Sequence, residues 1–291
     1  MAAEKPAQSE RLASILKAVQ ARIDANAINV PMLPEVAGKV VRLTQDPETD
    51  AAMLSQLIQS DQTLAGHVMR IANSAAYSPN ASMVSLQQAI TRLGMRVISE
   101  IALAASINSE MFNTPGYEKH IKFILKSSLA SGLWAKETAR ACRKNVEAAF
   151  LAGLLNDIGR PVAVQTALEI ARKHNFSISK DEMTAIEMTT KRKIGLHVLN
   201  VWEMPSAVSS VVEHFDRYDQ EHSGKLQTAI VVAGTAISLL FVCDEEELEC
   251  PTRDDVMENP VFAAVNLYQD EVEKLLEKEE AVNSALEAMG L

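Results

Sequence analysis

Apolar residues recur along this chain at three- and four-residue spacings. Val36, Val40 and Leu43 follow an i, i+4, i+7 pattern, and Leu64, Val68 and Ile71 repeat it. Each set therefore lies on one face of a helix. No stretch of useful length alternates apolar with polar residues, so the pattern predicts an all-α fold. Pro, Gly and cap residues mark the breaks. Pro31-Met32-Leu33-Pro34 separates a leading helix, about 9 to 26, from the next one. Asp46-Pro47-Glu48-Thr49-Asp50 reads as a turn ending in a helix N-cap. Tyr77-Ser78-Pro79-Asn80 is a loop, and Thr114-Pro115-Gly116 is the strongest boundary before the middle of the chain. Gly159 followed by Pro161 stops one helix and starts another.

Composition sharpens this picture. A chain of 291 residues can bury a large core, and 47% of its residues are hydrophobic while only 4% are aromatic. Such an interior suits helices. The nearly uncharged run from Leu226 to Cys243 is close to the roughly 20 residues a membrane span needs. Gln227, Thr228, Thr235 and Ser238 interrupt it, which predicts a helix buried in a bundle and no membrane. Met1-Ala2-Ala3-Glu4-Lys5-Pro6 lacks a basic segment leading into an apolar run, so no signal peptide is expected. Cys142, Cys243 and Cys250 are odd in number and form no CxxC. Neither a disulfide framework nor a thiolate zinc site is expected, and the reading is a reducing cytoplasm.

The net charge of −10 is unevenly placed. Residues 244 to 291 hold 15 acidic and 3 basic side chains, whereas the preceding 243 hold 25 basic and 23 acidic. The acidity belongs to the tail, and nucleic acid is not expected as a partner. Within the tail a short helix is predicted near Asn259-Pro260, and a last one from about 268 to 289. Val272, Leu275, Leu276 and Val282 give that last helix one apolar stripe among many Glu residues.

Several motifs then fall in order. Leu33-Pro34-Glu35-Val36-Ala37 comes first, followed by Ile58-Gln59-Ser60-Asp61-Gln62-Thr63-Leu64 and Met69-Arg70-Ile71-Ala72-Asn73-Ser74-Ala75-Ala76-Tyr77. Leu86-Gln87-Gln88-Ala89-Ile90-Thr91-Arg92-Leu93-Gly94 continues the series. Then come Phe150-Leu151-Ala152-Gly153-Leu154-Leu155-Asn156-Asp157-Ile158-Gly159-Arg160, Trp202-Glu203-Met204-Pro205 and Val211-Val212-Glu213-His214-Phe215. Together they resemble the HDOD family, the HD-related output domains of bacterial signalling proteins. The resemblance covers residues 28 to 243. It implies an HD-like helical bundle (115 to 243) fused to an N-terminal helical lobe (28 to 112). A leading helix (1 to 27) and the acidic tail (244 to 291) flank that domain.

The resemblance also implies a degenerate metal site. Matched to catalytic HD phosphohydrolases, the first His ligand falls at Ser127, the His of the His-Asp pair at Asn156, and its Asp at Asp157. A further His falls at Lys191, a paired His-His position reads Glu213-His214, and the closing Asp falls near Gly234. An amide, a hydroxyl, an ammonium and a hydrogen are poor stand-ins for imidazole and carboxylate. The expectation is no catalytic residue, no metal and no cofactor. Lys191 is expected either to replace the lost metal opposite Asp157 or to belong to a solvated run with Arg192 and Lys193. His67, His120, His174, His197 and His222 do not cluster at ligand spacing.

The leading functional expectation is a non-catalytic signalling module that binds unidentified signalling proteins. Two alternatives stay open. One is a phosphohydrolase with a site rebuilt from Asp157, His214, Glu213 and His197. The other is a sensor whose old pocket holds a nucleotide gripped by Lys191, Arg192 or Arg160.

Overall fold

Short polar side chains start the first helices. The computed structural model describes residues 4–43, 46, 48–78, 82–243 and 250–290. Pro47, the Pro79-Asn80 loop and the acidic stretch 244–249 lie outside the described residues. Helix α1 (Glu4–Asp24) leads into α2 (Glu35–Leu43), α3 (Ala51–Gln59), α4 (Gln62–Ala72), α5 (Leu86–Leu93) and α6 (Met95–Ser106). Asp50, Asp61 and Ser85 cap α3, α4 and α5 by accepting from the N–H groups of Met53, Leu64 and Gln88. Each cap satisfies a donor that the helix itself cannot. Asn73 then pins the return of the chain: its side chain donates to the Met83 carbonyl at 2.9 Å and accepts from the Met83 N–H at 2.6 Å.

A second group of longer helices follows: α7 (Glu118–Ala141), α8 (Val146–Leu155), α9 (Gly159–His174), α10 (Lys180–Val201), α11 (Ser206–His214) and α12 (Lys225–Val242). Helix α8 is apolar on nearly every side, with Ala149, Phe150, Ala152, Gly153, Leu154 and Leu155 buried. Such a helix belongs in the centre of a bundle. It packs on α7, which also holds α12. Gly234 of α12 faces the α7 backbone so closely that a Cβ there would collide with Ala135. Trp134 is fully buried and stacks on Phe241 with ring centroids 5.2 Å apart. By length and composition α12 could cross a membrane, but half of it is buried against its neighbours.

The tail forms α13 (Arg253–Met257), α14 (Val261–Ala264), α15 (Gln269–Leu276) and α16 (Glu279–Met289). Where one closing helix is predicted from sequence, the structure has two, parted at Glu277 and Lys278. The break lets both apolar stripes reach the body. Val272, Leu275 and Leu276 of α15 and Val282, Leu286 and Met289 of α16 are buried in the same core as α7. The acidic tail is thus part of the packed body.

The expectation of unpaired cysteines is corrected: Cys243 and Cys250 form a disulfide, with Cα atoms 5.6 Å apart. Counting motifs misses it because seven-residue spacing resembles no metal or redox signature. The reducing-cytoplasm reading loses the support it drew from unpaired cysteines. Cys142 remains free.

Among the described residues every regular element is helical. The all-α expectation holds.

Candidate functional site

Asp157 sits in the turn between α8 and α9, where the apolar run of α8 ends. Gly159 fixes what lies opposite. A Cβ at this position would collide with the carbonyl of Lys191, so only glycine lets the start of α9 rest on the α10 backbone. That approach sets Lys191 Nζ 3.5 Å from Asp157 Oδ1. Arg192 NH1 lies 3.5 Å from the same oxygen, and Arg160 NH1 lies 3.8 Å from Oδ2. Burial acts to raise the Asp157 carboxyl, but Lys191, Arg160 and Arg192 outweigh it and hold it below the usual range.

Arg192 is the centre of a clasp. Its Nε and NH2 donate to the two oxygens of Asp216, both at 2.9 Å. NH1 donates to the Asn156 carbonyl at 2.8 Å and to Asn156 Oδ1 at 3.1 Å. The guanidinium lies 4.3 Å above the Phe215 ring. A cation is well placed here, because Asn156 ends α8 and presents the free carbonyls of a helix C-terminus. The hydrogen bonds from Arg192, more than any other cause, hold Asp216 below the ordinary Asp range.

Arg160 extends the network inward. Its Nε donates to Glu187 Oε2 at 3.0 Å, and Glu187 Oε1 meets His120 Nε2 at 2.8 Å. Glu187 is only 1% exposed, so its charge rests on these partners. A chain of ion pairs therefore runs from Asp157 through Arg160 to Glu187, which is in turn hydrogen-bonded to His120. It ties α9, α10 and α7 together.

The other expected site residues go elsewhere. The Ser127 hydroxyl is buried and makes no hydrogen bond among the described residues. Glu213 is exposed. His214 donates from Nδ1 to the Ser210 carbonyl at 2.9 Å and stacks on His222 with centroids 4.0 Å apart. Gly234 serves the contact between α7 and α12, where no carboxylate fits. The structure brings Asp157 and Lys191 together and holds Asn156 on Arg192, while Glu213 is exposed and Gly234 packs on α7. Sequence reading missed Asp216, Glu187 and His120 as partners. Glu187 and Lys191 are four residues apart and share a helix face, a signal that was present. Nothing local pointed to Asp216.

The resemblance to HD phosphohydrolases implies metal ions at the matched positions. The residues here do not fit one. Three cations already surround Asp157, the Asn156 amide is turned to Arg192, and His214 Nδ1 is bonded to the Ser210 carbonyl. Among the described residues no group of three His, Cys, Asp or Glu side chains could hold a metal ion. Chemically the arrangement is an ionic clasp.

Among the described residues the protein is an all-α helical bundle. The family model "HDOD domain" matches residues 30–218, and this chain belongs to the HDOD family. Several solved structures share the fold. A candidate metal-dependent phosphohydrolase from Shewanella amazonensis SB2B superposes with a TM-score of 0.73 at 19% identity, covering 96% of this chain and 99% of the other. An HDOD domain protein of unknown function from Geobacter sulfurreducens gives 0.72 at 16% identity, covering 97% and 99%. A candidate signal transduction protein from Marinobacter aquaeolei VT8 gives 0.65 at 19%, covering 98% and 66%. At these identities the likeness shows the fold alone. It reaches well past residue 218, so the common fold takes in α12 and the tail helices. An uncharacterized protein from Treponema pallidum (strain Nichols) is 22% identical over 174 residues, which is 59% of this chain and 31% of that one. The match thus spans about a third of its length.

Proposed function

We propose that this chain is a non-catalytic bacterial signalling module that works by binding other signalling proteins, with its HD-like centre converted from a metal site to an ionic clasp. One observation carries the reading: Lys191, Arg192 and Arg160 surround Asp157 at 3.5 to 3.8 Å. A divalent cation would have to enter against three fixed positive charges at this spacing, with one carboxylate in its favour. The same pairing weighs against a nucleotide at this position. Asp157, Asp216 and Glu187 already take up the cations that would grip a phosphate. A rebuilt hydrolase would draw on Asp157, His214, Glu213 and His197, and against it Glu213 is exposed and His214 Nδ1 is bonded to the Ser210 carbonyl.

The test is metal content per chain, by elemental analysis of protein purified without chelator or histidine tag. Manganese, iron, nickel and zinc near zero are expected. One or two equivalents of any of them would overturn the reading and call for phosphodiesterase and nucleotidase assays.

A further inference from the structure

Away from Asp157, helices of both groups and the end of the tail meet around a small hollow of about 140 Å³. Its polar lining is basic. Helix α4 supplies His67 and Arg70, one turn apart, and α7 supplies Lys122. Asn108 and Ser109, in the turn between α6 and α7, complete the polar wall. Asn108 Oδ1 accepts from the Glu110 N–H at 3.0 Å, which leaves the amide NH2 to donate. The floor is apolar, from Leu125 and Met289, 3% and 1% exposed. Gly290 closes the far side, and a Cβ there would lie 4.0 Å from Arg70 NH1.

The charge count is one-sided. Among the described residues no Asp or Glu lines the hollow. The acids nearest along the chain turn elsewhere. Glu118, one turn before Lys122, accepts from the Gly116 N–H at 3.0 Å. Glu287, one turn before Gly290, lines separate clefts with Asn283. Glu110 is exposed and outside the lining. Neither Arg70 nor Lys122 has an ion-pair partner among the described residues. Arg11, Arg22, Arg96, Arg160 and Arg192, by contrast, each reach a carboxylate of another element.

Two cations that share a small hollow over an apolar floor repel each other, and the low-dielectric floor strengthens the repulsion. A metal ion or an organic cation would add to it. An anion relieves it. The planar fork of Arg70 and the ammonium of Lys122 suit the oxygens of a tetrahedral oxyanion, with Asn108, Ser109 and His67 as further donors.

We propose that this hollow binds a phosphate group, free or carried as a monoester on a small molecule, with Arg70 and Lys122 as its anchors. Because α4, α7 and the end of α16 all line it, a bound phosphate group ties the first group of helices, the second group and the tail together. Its volume takes the phosphate group alone, so the body of a monoester stays outside.

The full chain, in phosphate-free buffer near neutral pH, is titrated by calorimetry with inorganic phosphate and with phenyl phosphate. Sodium chloride at equal ionic strength is the control. Saturable binding of at least one phosphate probe is expected, and none with chloride. Tighter binding of inorganic phosphate assigns a free anion; tighter binding of phenyl phosphate assigns a phosphorylated small molecule. Arg70→Gln should weaken binding at least about tenfold, and Lys122→Gln about threefold or more. Arg172→Gln removes an exposed charge from the last turn of α9, outside the hollow, and should leave binding unchanged. Arg70 and Lys122 are exposed, so both variants should fold. Without phosphate, their unfolding temperatures should match or exceed the parent's, since each loses an uncompensated charge. Absence of saturable binding, an equal loss in Arg172→Gln, or a lower unfolding temperature of Arg70→Gln without phosphate overturns the proposal. None of these outcomes bears on metal content, so the two proposals fail separately.

Discussion

Lys191 Nζ lies 3.5 Å from Asp157 Oδ1, with the two side chains 16% and 22% exposed. An ammonium thus stands beside the carboxylate at the end of α8. Both groups are too sheltered for solvent to screen them fully. Asp157→Asn and Lys191→Met, alone and combined, should show a coupling of about 0.5–2 kcal/mol in urea unfolding. Additive effects would mean that the pair does not hold the helices together. Arg160 and Arg192 share the same carboxylate, so Asp157→Asn should cost more than Lys191→Met.

Acid should loosen the clasp. The carboxyls of Asp157 and Asp216 are held below their ordinary range in the fold. Near pH 4 the unfolded chain therefore binds more protons than the folded one, and stability falls as pH drops. The contribution is fully present above the unfolded Asp value of about 3.9 and is lost as pH falls through the lower folded value. Thermal unfolding from pH 6 to pH 2.5 should show a shallower acid loss in Asp157→Asn than in the parent chain. Parallel curves would remove Asp157 from the account.

Gly159 controls the approach of α9 to α10. In Gly159→Ala the new methyl meets the Lys191 carbonyl, a backbone atom that cannot turn aside. The expected cost is about 3 kcal/mol or more, above the usual range for overpacking because neither helix can yield locally. Gly66, with nothing near its Cβ position, is the control: Gly66→Ala in α4 should be neutral or slightly stabilising. Guanidinium unfolding of the two variants separates the predictions.

The tail should behave as core. Leu275 is 4% exposed and packs with the buried face of α7. Leu275→Ala should cost about 2–5 kcal/mol, comparable to the same change at Leu129 inside α7 (0% exposed). Calorimetric unfolding should remain one transition. A separate low-temperature transition, or a loss below 1 kcal/mol, would mean that the tail is only loosely docked.

The helices were legible in the sequence because local rules write them. The spacing of Val36, Val40 and Leu43 and the cap at Asp50 specify a face and a start without reference to the rest of the chain. The residue types at the matched positions, Asn156 and Lys191 among them, were legible for the same reason, since side-chain chemistry is local. The resemblance stopped at residue 243, yet the packed fold includes α15 and α16. A stripe such as Val272, Leu275 and Leu276 reads alike whether it faces a partner or its own core.

What the sequence by itself determined was an all-α chain, its order of helices, and an Asp157 that follows an Asn and not a His. Tertiary structure alone decided where the charges went. Lys191 could have been one of three solvated basic residues, and only the contact at Gly159 turns it to Asp157. Asp216 and Glu187 reach Arg192 and Arg160 across 24 and 27 residues of chain. The hollow at Arg70 exists only because α4, α7 and the end of α16 meet around it. Electrostatic partnership depends on distance in space, and periodicity along the chain fixes that distance only within a single helix.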